Sequence, residues 1–122
     1  MSENPLGILV GREVDAVSFV RNYVELRIDY SILRALTNPT GTIDGIPWRL
    51  ADKRAADVMR RYIGRTVVDV EVTQDQRILL MFDRDAWFEI SLRQEDRPGA
   101  EAAHFVPARA DGIPDVAAMW VW

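Results

Sequence analysis

A segment near the start of the chain returns in its second half, and this repeat limits the available folds more than any other feature. Val10-Gly11-Arg12-Glu13-Val14-Asp15-Ala16-Val17-Ser18-Phe19 matches Ile63-Gly64-Arg65-Thr66-Val67-Val68-Asp69-Val70-Glu71-Val72. One residue further out of register, Val24-Glu25-Leu26-Arg27-Ile28-Asp29 matches Ile78-Leu79-Leu80-Met81-Phe82-Asp83. After another slip, Ile32-Leu33-Arg34-Ala35 aligns with Trp87-Phe88-Glu89-Ile90. The slips fall where turns are expected, around Arg21-Asn22 and Gln74-Asp75-Gln76, then Tyr30-Ser31 and Arg84-Asp85. Turns are where a chain tolerates insertions.

Within each copy, approximately residues 10–36 and 63–92, apolar residues alternate with period two, which predicts a three-stranded antiparallel meander. Val24, Leu26 and Ile28 share one face of the middle strand, and Ile78, Leu80 and Phe82 repeat it. Val14 and Val67 have the wrong parity for their strands, so each either points away or precedes a bulge. The opposite face carries Glu25 and Arg27 in the first copy but Leu79 and Met81 in the second, with Trp87 on the next strand. A sheet apolar on both faces needs cover on both.

The period changes to helical over residues 51–63. Ala51, Ala55, Val58, Met59 and Tyr62 form one stripe, and Gly64 stands where a left-handed cap belongs. This predicts an amphipathic helix connecting the copies and packed on the outer face of the second meander. Before it, residues 37–49 are rich in Pro, Gly and Thr, with room for one short strand between Ile43 and Leu50. Residues 94–114 read as a long loop, with a short ordered turn near residues 102–105. Residues 116–122 read as a final strand with two tryptophans in its last three positions.

The 122 residues amount to a single domain by length, spanning 1–122, and 48% hydrophobic with 28% charged residues is an ordinary globular mix. No run is long enough for a membrane helix, and Met1-Ser2-Glu3-Asn4-Pro5 lacks the basic and apolar regions of a signal peptide. A cytoplasmic location is expected. Without cysteine there are no disulfides, thiolate metal sites or cysteine nucleophiles. A net charge of -4 disfavours nucleic acid, since the one basic cluster, Arg54, Arg60, Arg61 and Arg65, is diluted by aspartates. The preference for arginine over lysine, with abundant Ala, Val and Asp, fits the codon usage of a GC-rich bacterium.

The chemistry-bearing residues are few. His104 is the only histidine, which excludes a two-imidazole metal motif and leaves at most a lone general base. None of the serines lies in a G-x-S-x-G elbow. Asp29 and Asp83 occupy matching positions at the ends of the middle strands, as an acid/base pair or, the blander reading, as turn formers. The glycines at Gly11-Arg12 and Gly64-Arg65 enter strands and form no phosphate loop. The tryptophans and Phe88 are candidates for a ligand cavity or for the core. From these we take Asp83, Trp87 and His104 as candidate ligand-binding residues, and Met119, Trp120 and Trp122 as candidate interface residues. No catalytic residue, metal site or cofactor is expected.

The G-R-x-V segments at Gly11 to Val14 and Gly64 to Val67 carry a resemblance. So do L-x-F/I-D at Leu26 to Asp29 and Leu80 to Asp83, the Glu101-Ala102-Ala103 loop and the Trp-Val-Trp segment at Trp120 to Trp122. In these the chain resembles a small bacterial family, a domain of unknown function, loosely similar in character to toxin-immunity proteins. The resemblance implies a non-enzymatic module that meets a toxin-like or co-encoded protein, and it implies no catalytic residue. The expected fold is α+β, mainly antiparallel β, with two meanders related by internal duplication in one curved sheet or half-open barrel. A homodimer is expected through the apolar strand 116–122. The alternative function is a small-molecule-binding or enzymatic barrel with an aromatic-lined cavity and Asp29 and Asp83.

Overall fold

The alternating segments form strands in the computed structural model of the protein, which describes residues 4–21 and 23–122. In chain order the elements are β1 (Val14–Val20), β2 (Tyr23–Ile28), β3 (Ser31–Ala35), β4 (Thr40–Ile43), β5 (Ile46–Arg49), α1 (Ala55–Met59), β6 (Val67–Thr73), β7 (Arg77–Phe82), β8 (Trp87–Ser91), β9 (Ala103–Val106) and β10 (Trp120–Val121). Short 3₁₀ turns at Pro5–Leu9 and Arg60–Tyr62 precede β1 and β6. The architecture is mainly antiparallel β with one short α-helix. Of the expected turn at Arg21-Asn22, Asn22 lies outside the described residues, as do Met1–Glu3 of the N-terminal segment.

Two five-stranded sheets replace the single curved sheet or half-open barrel expected. One runs β1-β2-β3-β9-β10 and the other β5-β4-β8-β7-β6. The hairpin that follows each meander leaves its own sheet and extends the other. β4 pairs with β8, and β9 pairs with β3. One buried cluster draws on both sheets, with Leu26, Leu33 and Phe105 from the first and Ile78, Leu80 and Phe88 from the second.

The parity of Val14 and Val67 resolves as bulges. The register shifts between Val14 and Ala16 and again between Val67 and Asp69, which turns both valines into the core. At this point the sheets meet through reciprocal backbone bonds. Gly11 N donates to Val67 O and Gly64 N to Val14 O, both at 2.8 Å. Val14 N donates to Arg65 O at 3.0 Å and Val67 N to Arg12 O at 2.9 Å. Gly11 and Gly64 have φ of 86° and 89°, a left-handed conformation that glycine adopts without a Cβ penalty.

The connecting helix is shorter than residues 51–63. Asp52 N donates to Arg49 O at 2.9 Å, and the Asp52 carboxylate accepts from Arg49 N at 2.8 Å, so residues 51–54 are spent on a turn. Ala55, Val58, Met59 and Tyr62 of the expected stripe are buried, whereas Ala51 is exposed. The Tyr62 ring meets Phe82 and Phe88 at 5.3 and 5.9 Å, on the face of the second sheet shared with Ile78 and Leu80. On the opposite face Met81 is exposed, so the outer side of that meander does not carry the cover expected there.

The residue 94–114 loop contains β9, which becomes a strand through its pairing with β3 on one side and β10 on the other. The expected 116–122 strand is reduced to Trp120–Val121, because Val116–Ala118 closes a 3₁₀ turn in which Ala118 N donates to Asp115 O at 3.0 Å. Among the described residues, no helix is long and apolar enough to cross a membrane.

Candidate functional site

Asp29 and Asp83 brace the junction where the sheets meet. Asp29 N donates to Glu13 O at 3.1 Å and Asp83 N to Thr66 O at 3.0 Å, while Glu13 and Thr66 bridge to each other. The Asp29 carboxylate pairs with Arg12, and Asp83 Oδ1 accepts from Thr66 N at 3.2 Å. Asp29 and Tyr30 both have positive φ, so turn geometry accounts for Asp29; in the second copy the positive-φ pair is Arg84-Asp85, one residue past Asp83.

Trp87 is half-buried, and its carbonyl accepts the Tyr62 hydroxyl at 2.6 Å. His104 lies in the other sheet, opposite Arg34. A guanidinium only donates, so His104 Nδ1, 3.0 Å from Arg34 Nη1, is an acceptor. The ring proton therefore sits on Nε2, which donates to Glu101 Oε2 at 2.7 Å. Arg34 also donates to Glu25 at 2.9 Å and lies 5.1 Å from the Tyr23 ring. Both imidazole nitrogens are thus engaged in holding β2, β3 and β9 together. None of Asp83, Trp87 and His104 lines either of the two described pockets.

The aromatic side chains named as cavity candidates separate into two groups. Trp48 and Phe88 are buried, and Trp48 Nε1 donates to Tyr62 Oη at 2.8 Å. Burial pushes the Tyr62 phenol well above its ordinary pKa, so this hydroxyl stays protonated and bridges Trp48 to the Trp87 carbonyl. Trp120 on edge strand β10 and Trp122 just after it stack at 6.4 Å. Trp122 packs against the core and its backbone bonds to Ala103, so the end of the described chain is tied down.

Trp120 is 39% exposed. Ile113, Val116, Met119 and Val121, which precede or share β10 in the sequence, are exposed as well. β10 terminates its sheet, so one of its backbone edges is open to a further strand.

An open cleft of about 1410 Å³ lies elsewhere, where the β1–β2 and β6–β7 turns converge with the residue 93–101 loop. None of Asp29, Asp83, Trp87 or His104 lines it. The first meander and its hairpin contribute Val20, Leu36 and Leu50 together with polar Arg21, Thr37 and Asn38. The second contributes polar groups, among them Thr73, Arg77 and Ser91. Arg77 is held by Glu89 at 2.9 Å, which keeps its guanidinium even more firmly charged. Arg97 donates to the carbonyls of Leu92 and Ala100 and has no carboxylate partner among the described residues. These residues were missed in the sequence because their signal is a difference between the copies. The connection after β3 is short, whereas the one after β8 is long and carries Arg93 and Arg97. Among the described residues, no group of three His, Asp or Glu side chains is placed to hold a metal ion.

Comparison of the chain with protein-family models, curated proteins and solved structures finds no match.

Proposed function

We propose that this chain is a non-enzymatic, cytoplasmic protein-binding module. Its partner is a co-encoded or toxin-like protein met in the manner of an immunity protein. The observation that carries this reading is the apolar segment of Ile113, Val116, Met119, Trp120 and Val121 beside the open edge of β10. Apolar side chains left in water along one segment favour an interaction site there, and an edge strand adds main-chain hydrogen bonds to it. A second copy of the chain can use the same edge, which makes the homodimer a competing occupant of one surface. The locations of Asp29, Asp83 and His104 favour this reading over a small-molecule or enzymatic barrel, since each is engaged in bracing the fold.

Capture from the native host with the intact chain as bait, compared with a Val116→Asp, Trp120→Arg variant, tests the reading. Recovery of one partner by the intact chain and its loss in the folded variant supports it. Equal recovery by both overturns the assignment to β10, and a co-purifying metabolite with no protein partner overturns the module reading.

We also read the fold as the product of an internal duplication whose unit has five strands, a meander and its following hairpin. The reciprocal bonds at Gly11 and Gly64, the paired bulges and the exchanged hairpins support this. In the hairpins, Trp48 stands opposite Gly41 and Trp120 opposite Phe105, so the tryptophans correspond. In the same reading, α1 packs its Val58 and Met59 side on the sheet.

A further inference from the structure

We propose that Trp120 anchors an amphipathic helix of the partner protein, seated beside β10 as α1 is seated beside β5. This rests on the protein-binding and duplication readings above and names the element that the partner presents to the β10 surface.

The second sheet shows the occupied form of the same place. Leu80, Phe88, Gly41 and Trp48 lie in register across that sheet, as do Leu26, Leu33, Phe105 and Trp120 across the first. Each row starts on the middle strand of a meander and ends on a tryptophan of an edge strand. Trp48 is 3% exposed. α1 lies beside its strand, and the turn after α1 brings in Tyr62, whose Oη accepts the indole N–H at 2.8 Å. Trp120 is left partly in water, and its indole N–H has no acceptor among the described residues.

The difference traces to the segment before each bulged strand. Arg12 N donates to Leu9 O and Arg65 N to Tyr62 O, both at 2.9 Å, so Leu9 holds the position of Tyr62. Both are buried, as are Leu6 and Met59 three residues earlier, but leucine offers an indole no acceptor. One residue before Leu6, Pro5 takes the place of Val58. Asn4 is extended there, and its side chain caps the turn by accepting from Leu6 N at 3.1 Å. Proline behind an asparagine cap starts a helical turn instead of continuing one. The helix that covers Trp48 therefore has no counterpart in the first copy among the described residues.

What the place lacks defines its occupant. α1 buries Ala55, Val58 and Met59, a stripe at helical spacing. A partner helix with such a stripe and a side-chain oxygen for Trp120 Nε1 supplies both absent contacts. Tryptophan suits this role because it contributes apolar area and a directed hydrogen bond together. β10 spans only Trp120–Val121, so main-chain pairing with a strand gives few bonds by comparison.

Indole and amide chemical-shift mapping of the full chain, diluted to monomer and titrated with a capped peptide of residues 51–63, tests the proposal. The Trp120 indole N–H and the amides of residues 103–106 and 119–122 should shift, and the Trp48 indole N–H should not. Arg60→Pro in the peptide, an exposed position within the helical stretch, should weaken binding about tenfold or more. Trp120→Ala in the chain should weaken it to a similar degree. No shift at Trp120 with millimolar peptide overturns the proposal. Equal binding of the Arg60→Pro peptide overturns it too, since the contact is then with an extended chain. Neither result touches the module reading, which is decided by capture of a partner from the host.

Discussion

At the residue scale, Gly41 shows how three-dimensional packing decides what a sequence position is for. Asn38-Pro39-Thr40-Gly41 reads as turn chemistry, yet Gly41 lies inside β4. A Cβ there would come within 2.5 Å of both the Trp87 carbonyl oxygen and Tyr62 Oη, and within 2.8 Å of the Trp48 ring. Gly41→Ala should lower stability by about 1–3 kcal/mol, read as a lower urea midpoint at unchanged slope. Tyr62→Phe removes the acceptor of Trp48 Nε1 and leaves a buried N–H unpaired, at an expected cost of about 1–3 kcal/mol. Asp44 tests electrostatics. Hydrogen bonds from Arg65, then from Arg61, hold its carboxyl below the ordinary value. The unfolded chain takes up that proton at higher pH, so the stability contributed is complete above the ordinary carboxylate pKa and drains as pH falls through the lowered one. Asp44→Asn should therefore flatten the loss of stability on acidification. An unchanged acid limb in a series of denaturant titrations would show that the pair contributes nothing. None of these roles was legible in the sequence, because each depends on partners brought in from other strands.

At the element scale, legibility followed hydrophobic period and length. The three strands of each copy were readable because five to seven alternating residues define a face, and even the bulges at Val14 and Val67 were visible as broken parity. The helical stripe was readable, but its first turn was not. The propensity of residues 51–54 lost to the Asp52 turn with Arg49. The hairpin β4–β5 was half visible, through the Asp44-Gly45 turn, whose φ values of 52° and 74° suit a two-residue hairpin. Four-residue β9 was hidden among prolines and glycines, since only its pairing with distant β3 and β10 makes it a strand. The helix stripe is testable through Met59, which is fully buried. Met59→Asp places an unpaired charge in the core and should cost about 3 kcal/mol. An unchanged unfolding midpoint would mean that Met59 faces water.

At the scale of the whole molecule, the five-stranded units act as controls for one another. Trp48 is covered because glycine opposite it leaves room for the ring and Tyr62 bonds its indole. Trp120 stands opposite Phe105, which already fills that space, so its ring is left partly in water. The sequence showed two apolar sides on residues 116–122, and hence an uncovered surface, but could not show that the segment forms a sheet edge. An exposed edge with aromatic surface is normally blunted or paired, and a two-fold contact between identical edges is the simplest pairing. The intact chain should therefore sediment as a dimer at micromolar concentration, and Trp120→Arg should sediment as a monomer. A monomeric intact chain leaves the edge to a different partner and removes the second copy. Truncation after Asp115 separates association from folding. It deletes β10 and the bonds of Trp122 to Ala102 and Ala103, so it should lower stability by about 3 kcal/mol beyond any loss of dimer. Trp120→Arg, which keeps those backbone bonds, should lose the dimer without that further loss. Equal stability of the truncated chain and Trp120→Arg would mean that residues 116–122 serve association alone.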